Sequence, residues 1–221
     1  LPIGGPTGWL GIALNQANPI LKSKAVRKAL AQLIDYPVMI ERAFFNTMVQ
    51  SVSPFGVYTN NTAPELKQES ARYHYHLAKA IELLKADGWS INDADHLLHK
   101  EIYGKDTAFK LSFRFLGAVL SHAKCAQIMK ESFLKAGIQL DLRSLDGASF
   151  SKDFNEKNFE MTFFAWGGGN VQPDVRQIWH SESADTGSNK VGYSNPEVDR
   201  LIDQANEEFD AKKREKIVQK I

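Results

Sequence analysis

The stretch 109–143 constrains the fold more than any other part of the chain. Phe109, Leu111, Phe113 and Phe115 alternate with Lys110, Ser112 and Arg114, the period of a strand with one buried face. Ala126, Met129, Phe133 and Ala136 then recur at helical spacing and stop at Gly137. Ile138, Leu140 and Leu142 alternate again, with Gln139, Asp141 and Arg143 between them. A strand, a helix and a strand within about 35 residues predict a parallel pair joined by a right-handed crossover. Parallel strands need cover on both faces, so the expected class is α/β, a mixed sheet flanked by helices.

The flanking sequence extends the alternation. Residues 9–14 read as a strand, and 24–35 as a helix through Val26, Leu30, Leu33 and Ile34. Pro37 suits the first turn of a short helix over 38–45, because Pro needs no donor there. Pro54 and Pro64 make 47–68 mostly loop. Leu77, Ala80, Ile81 and Leu84 mark a helix that Gly88 stops in a left-handed cap. A third strand spans 159–166, and Asn195-Pro196-Glu197 opens a helix through Val198, Leu201, Ile202, Ala205 and Phe209. No internal repeat interrupts this order, so one domain over 1–221 is expected.

Several function classes are disfavoured. Twenty-seven basic against 26 acidic side chains leave +1, with no Lys/Arg run to attract nucleic acid. Cys125 is the only cysteine, so no disulfide scaffold exists. No apolar stretch approaches the ~18–20 residues of a membrane span. The start, Leu1-Pro2-Ile3-Gly4-Gly5, is no signal segment, and Ile221 falls inside a helical pattern. Both ends read as cut, so a piece of a longer protein is expected.

Catalytic motifs are lacking. There is no G-x-S-x-G elbow and no phosphate loop, and Gly5-x-x-Gly8-x-x-Gly11 precedes its strand, where a dinucleotide fingerprint would follow one. Cys125 lies on the crossover helix and reads as a small buried thiol. His74 with His76, and His96 with His99, read as solvent-exposed, since neither spacing ensures convergence on a metal. In the mixed stretch 207–215 acids precede bases, as on a solvated helix face with spacing-four pairs.

Ligands of open α/β sheets bind beyond the carboxyl ends of the strands. Two such ends are Phe115-Leu116-Gly117 and Trp166-Gly167-Gly168-Gly169-Asn170. Consecutive glycines leave main-chain donors and acceptors uncovered, and an indole beside them offers a flat apolar wall with one donor. Trp166, Gly167, Gly168, Gly169, Asn170, Phe115 and Leu116 are therefore the candidate ligand-binding residues. A tight turn whose Trp packs in the core is the alternative.

The order of motifs resembles the family 5 extracellular solute-binding proteins, the peptide-binding receptors of ABC importers. The resemblance rests on Ala25-Val26-Arg27-Lys28-Ala29-Leu30 with Ile34-Asp35, and on AKAIELLKADGW over 78–89. It continues through FLKAGIQLDLRSL over 133–145, the Trp166 turn with Pro173-Asp174, and GYSNPEVDRLID over 192–203. It implies a periplasmic or extracytoplasmic receptor, free or lipid-anchored, whose two lobes close on a ligand. This chain would be the C-terminal lobe, monomeric, without cofactor or catalysis, passing peptides or other small solutes to a membrane permease. In the family's peptide receptors an Asp three residues after the turn's Trp anchors the ligand's amino group. Gly169 stands there, a pattern similar to the YejA-type branch, so free-amine recognition is not implied. A peptide-acting hydrolase or a ligand sensor reusing the lobe is the competing reading.

Overall fold

The computed structural model describes residues 8–56, 59–68, 72–167 and 175–221. Its strands are β1 (Gly8–Leu14), β2 (Ser90–Ile91), β3 (Leu98–Ile102), β4 (Lys105–Ala108), β5 (Lys110–Leu116), β6 (Gln139–Leu145) and β7 (Met161–Gly167). The helices are α1 (Lys24–Gln32), α2 (Tyr36–Arg42), α3 (Leu77–Ala86), α4 (Leu120–Lys135), α5 (Gly147–Asn155), α6 (Val175–Trp179), α7 (Ser183–Thr186), α8 (Pro196–Glu207) and α9 (Ala211–Val218). One sheet has the order β1-β7-β5-β6 and the other β2-β3-β4. The described chain forms two compact units. One comprises Ile12–Gln50 and Tyr73–Phe163, the other the described parts of 1–11, 51–72 and 164–221.

The larger unit carries the expected strand–helix–strand element. β5 pairs in parallel with β6, Leu111 opposite Leu140 and Phe113 opposite Leu142. On its other edge β5 pairs in parallel with β7, Phe113 opposite Met161. α4 covers one face with Cys125, Ala126, Met129 and Phe133, all essentially buried, and Gly137 ends it at φ +77°. Phe113 meets Phe163 edge-on at 5.0 Å. Gly88 closes α3 at φ +92°, the left-handed cap that its position predicts.

One helix boundary needs correction here, and one feature lies outside what the sequence predicts. The helix expected over 24–35 ends at Gln32, because Asp35 turns out of it to accept from the Val38 N–H and cap α2. The antiparallel meander β2-β3-β4 is not evident from the sequence. Its strands are short and largely exposed, so they carry little alternation, and Tyr103 and Gly104 turn the hairpin at φ +53° and +75°.

The smaller unit is built on a core of Val175, Val198 and Ile202, with Phe55, Trp179, Tyr193 and Ile221 packed against it. Asn195 caps α8 by accepting from the Glu197 N–H at 3.0 Å. The charged stretch 207–215 is not one helix. α8 stops at Glu207, and Asp210 caps α9 through the Lys212 and Lys213 amides, both at 2.9 Å. The break removes the register that spacing-four ion pairs across it would require.

Candidate ligand-binding surfaces

In the smaller unit, the alternation of β7 decides where Trp166 points. Phe164 and Trp166 share one face, opposite to that of Phe163. Trp166 is half-buried and tilted against Phe164 at 6.2 Å. Phe164 meets Trp9 edge-on at 5.2 Å, and Trp9 stacks on Trp179 at 6.2 Å. Tyr193 closes the series, edge-on to Trp179 at 6.1 Å. Three of the four tryptophans thus stand in one run of half-buried rings, each with some face open to solvent.

Glycines make room for this run. A Cβ at Gly8 would lie 2.5 Å from the Trp166 carbonyl oxygen, and one at Gly11 would lie 3.2 Å from the Trp9 ring. Gly8 opposite Trp166 and Gly11 opposite Phe164 also show that β1 runs against β7, which makes the sheet mixed. Gly167 is exposed, with open space where a side chain would be. Gly168, Gly169, Asn170, Pro173 and Asp174 lie outside the described residues.

The other candidate pair belongs to the larger unit. Phe115 is 6% exposed and stacks on Phe113 at 6.1 Å, so its ring serves the core rather than the rim. The physical reason is the strand period, which puts residue 115 on the face that α4 covers. Leu116 is half-buried and Gly117 exposed, the latter donating its N–H to the Leu145 carbonyl at 2.9 Å. Beside this edge His122 lies over the Phe163 ring at 4.2 Å. Its Nδ1 is fully enclosed without a partner, and burial holds its pKa below the usual imidazole value. His122 carries no sequence signal, being one polar residue on an amphipathic helix.

Most other polar groups here have structural partners. Arg114 pairs with Asp153. Glu160 accepts from the Ser112 hydroxyl and from Asn18 Nδ2, both at 2.9 Å. In the smaller unit Arg176 pairs with Glu182 at 2.7 Å and with Asp203. Asp199 accepts from the Ser181 N–H and hydroxyl at 2.9 and 2.7 Å. Burial pushes the Cys125 thiol up to about 11, far from a reactive thiolate.

The histidines singled out in the sequence have separate surroundings. His76 caps α3 through Nδ1, which accepts from the Lys79 N–H at 3.2 Å. His99 bridges Asp106 and Asp95 at 2.9 and 3.1 Å. His74 and His96 are exposed. Among the described residues no group of three or more His, Cys, Asp and Glu is arranged to hold a metal ion. No described helix is long and apolar enough to cross a membrane.

Residues 3–188 match the family described as bacterial extracellular solute-binding proteins, family 5 (middle region), and the chain belongs to that family. The oligopeptide-binding protein AppA of Bacillus subtilis is 26% identical over 218 residues, 96% of this chain and 39% of AppA. The uncharacterized protein YejA of Escherichia coli is 22% identical, over 90% of this chain and 36% of YejA. The chain therefore spans less than half the length of these relatives. AppA from B. subtilis, solved in complex with a nonapeptide, superposes with a TM-score of 0.82 at 24% identity, covering 97% of this chain and 42% of that one. A Thermotoga maritima oligopeptide-binding protein with bound mannohexaose gives 0.83 at 21% identity, over 97% of this chain and 41% of its own. The fold is that of the type II periplasmic binding proteins.

Proposed function

We propose that this chain is the C-terminal ligand-binding lobe of the substrate-binding component of an ABC importer, acting outside the cytoplasmic membrane. It captures peptides or related small solutes and passes them to a membrane permease, with no catalytic step of its own. The observation that carries this reading is the run of Trp166, Phe164, Trp9 and Trp179 beside exposed Gly167. Half-open indoles give a ligand apolar faces, and bare main chain gives donors and acceptors for an amide backbone. Trp166 and Gly167, with Gly168, Gly169 and Asn170 next in the sequence, are the ligand-binding residues proposed for the smaller unit; Leu116 is proposed by itself for the larger one. Peptide binding by AppA supports a peptide ligand. Gly169 carries no carboxylate to pair with a free amino terminus.

The test is native mass spectrometry of the intact protein from its own cells, followed by tryptophan fluorescence on adding synthetic peptides. A copurified peptide and a saturable fluorescence change are expected. Trp166→Ala should weaken binding on the order of tenfold, the loss of one aromatic stacking partner, in protein that still unfolds cooperatively. Cleavage of the peptides, or undiminished binding by the variant, would refute the assignment.

A further inference from the structure

We propose that residues 45–49 form an apolar finger that dips into an anionic lipid surface, with Arg42 and Lys124 as its cationic collar. The proposal goes beyond the receptor reading, and its test needs no peptide.

The finger stands on the larger unit, just past the end of α2. Phe45, Asn46, Thr47, Met48 and Val49 are all exposed. Of the nine exposed large hydrophobic side chains among the described residues, three fall in these positions, Phe45 at 69%, Met48 at 42% and Val49 at 53%. A fourth, Leu120, opens α4 one turn before Lys124 and on the same side of the helix. Single exposed apolar residues are ordinary, whereas a cluster of them marks a surface that meets a partner.

The backbone holds the finger out. Asn46 donates its N–H to the Ile40 carbonyl and Thr47 its N–H to the Phe44 carbonyl, both at 3.0 Å. Just beyond, the Gln50 side chain donates to the Tyr73 carbonyl at 2.7 Å. Phe45 at φ +53° and Asn46 at φ +59° lie in the left-handed region, which a bulky aromatic rarely adopts. A phenyl ring is thus kept in solvent by a conformation that glycine would take more easily, and such strain points to function.

Charge selects the occupant. The Lys124 ammonium lies 4.7 Å from the Phe45 ring centroid and donates to the Arg42 carbonyl at 3.3 Å. Among the described residues no carboxylate pairs with the side chain of Lys124 or Arg42. Glu41 is the only acid in 40–50, and 118–125 contains none. Cations at the base of an apolar tip match a bilayer, whose phosphates lie above its acyl chains. Long basic side chains stay at the phosphate level while the tip enters. A protein partner fits less well. A stable protein interface takes about 20–30 residues a side, far more than this finger and Leu120 supply, whereas a lipid surface sets no such minimum.

The experiment sediments the intact protein with vesicles of equimolar phosphatidylglycerol and phosphatidylcholine, and with vesicles of phosphatidylcholine alone. Wild type should bind the mixed vesicles and bind the neutral ones more weakly. Phe45→Ser combined with Met48→Ser should weaken binding to the mixed vesicles on the order of tenfold. Arg42→Gln and Lys124→Gln should weaken it about fivefold each. All these variants should still unfold cooperatively, because none of the four side chains is buried. Wild type that stays in the supernatant, a finger variant that binds as wild type does, or equal binding to neutral vesicles would each overturn the proposal. A dimer in light scattering that Phe45→Ser abolishes would give the finger to a second copy. Sedimentation only with vesicles that carry a permease would give it to a protein. Either result also overturns the proposal. Peptide binding is measured separately, so failure of the lipid test leaves the receptor reading in place.

Discussion

Replacing Gly137 by Ala tests how α4 is joined to the meander. Gly137 sits at φ +77°, where any Cβ is strained, and the added carbon would lie 2.7 Å from Ile91 Cδ1, 3.3 Å from Leu98 N and 3.4 Å from the His96 carbonyl oxygen. Ile91 is 50% exposed and can swing aside. The two backbone atoms cannot retreat so easily, since the Leu98 N–H donates to the Gly137 carbonyl at 2.7 Å. Gly104 is the control, at φ +75° with nothing within 4 Å. An L-residue in the left-handed region costs roughly 1–2 kcal/mol. Ala recovers roughly 0.4–1 kcal/mol by restricting the unfolded chain. Gly104→Ala should therefore cost about 0.5–1 kcal/mol. Crowding adds on the order of 1–2 kcal/mol at Gly137, for a total of about 1.5–3 kcal/mol. Both glycines belong to the larger unit, so urea unfolding followed by circular dichroism compares them in one transition. Equal losses would refute the steric account, and a larger loss at Gly104 would reverse it.

Two further predictions concern pH. Asp87 accepts from the Ser23 hydroxyl at 2.6 Å and from Lys100 at 2.9 Å. Burial works against its ionised form, but these hydrogen bonds outweigh it and hold the carboxyl below the usual range. Its contribution is present above the unfolded value of about 4 and is lost as pH falls through the folded one. Asp87→Asn should cost about 1–2 kcal/mol at pH 7 and progressively less in acid, and a pH-independent loss in urea titrations would contradict this. His99 has the opposite sign. Hydrogen bonds to Asp106 and then Asp95 raise its pKa, so its contribution is full below about 6.5 and is lost as pH rises through the folded value. Asp106→Asn should lower the His99 midpoint in an NMR titration, and an unchanged midpoint would show that the contact is not formed in solution.

The legible part of the fold was its deeply buried part. Phe109 to Phe115 and Ile138 to Leu142 alternate strictly because α4 covers one face of their strands, and that face must be apolar. The meander over 90–108 and helix α5 escaped because they are shallow. α5 has no fully buried residue, so nothing forces a period on its sequence. For the candidate surfaces, Trp166 and its glycines stood out by composition. Its partners Trp9 and Trp179 come from distant segments, and only folding sets them in one line.

What the amino-acid order determined by itself was the class and the crossover. Hydrophobic period, the glycines that follow α3 and α4 and the length between strands are local properties, and local sterics suffice to read them. Tertiary structure decided which atoms were left without partners. Phe115 became core because of the neighbour above it, and one nitrogen of His122, whose ring lies over Phe163, was enclosed without a partner. Burial is set by residues far apart along the chain, so no window of sequence contains it.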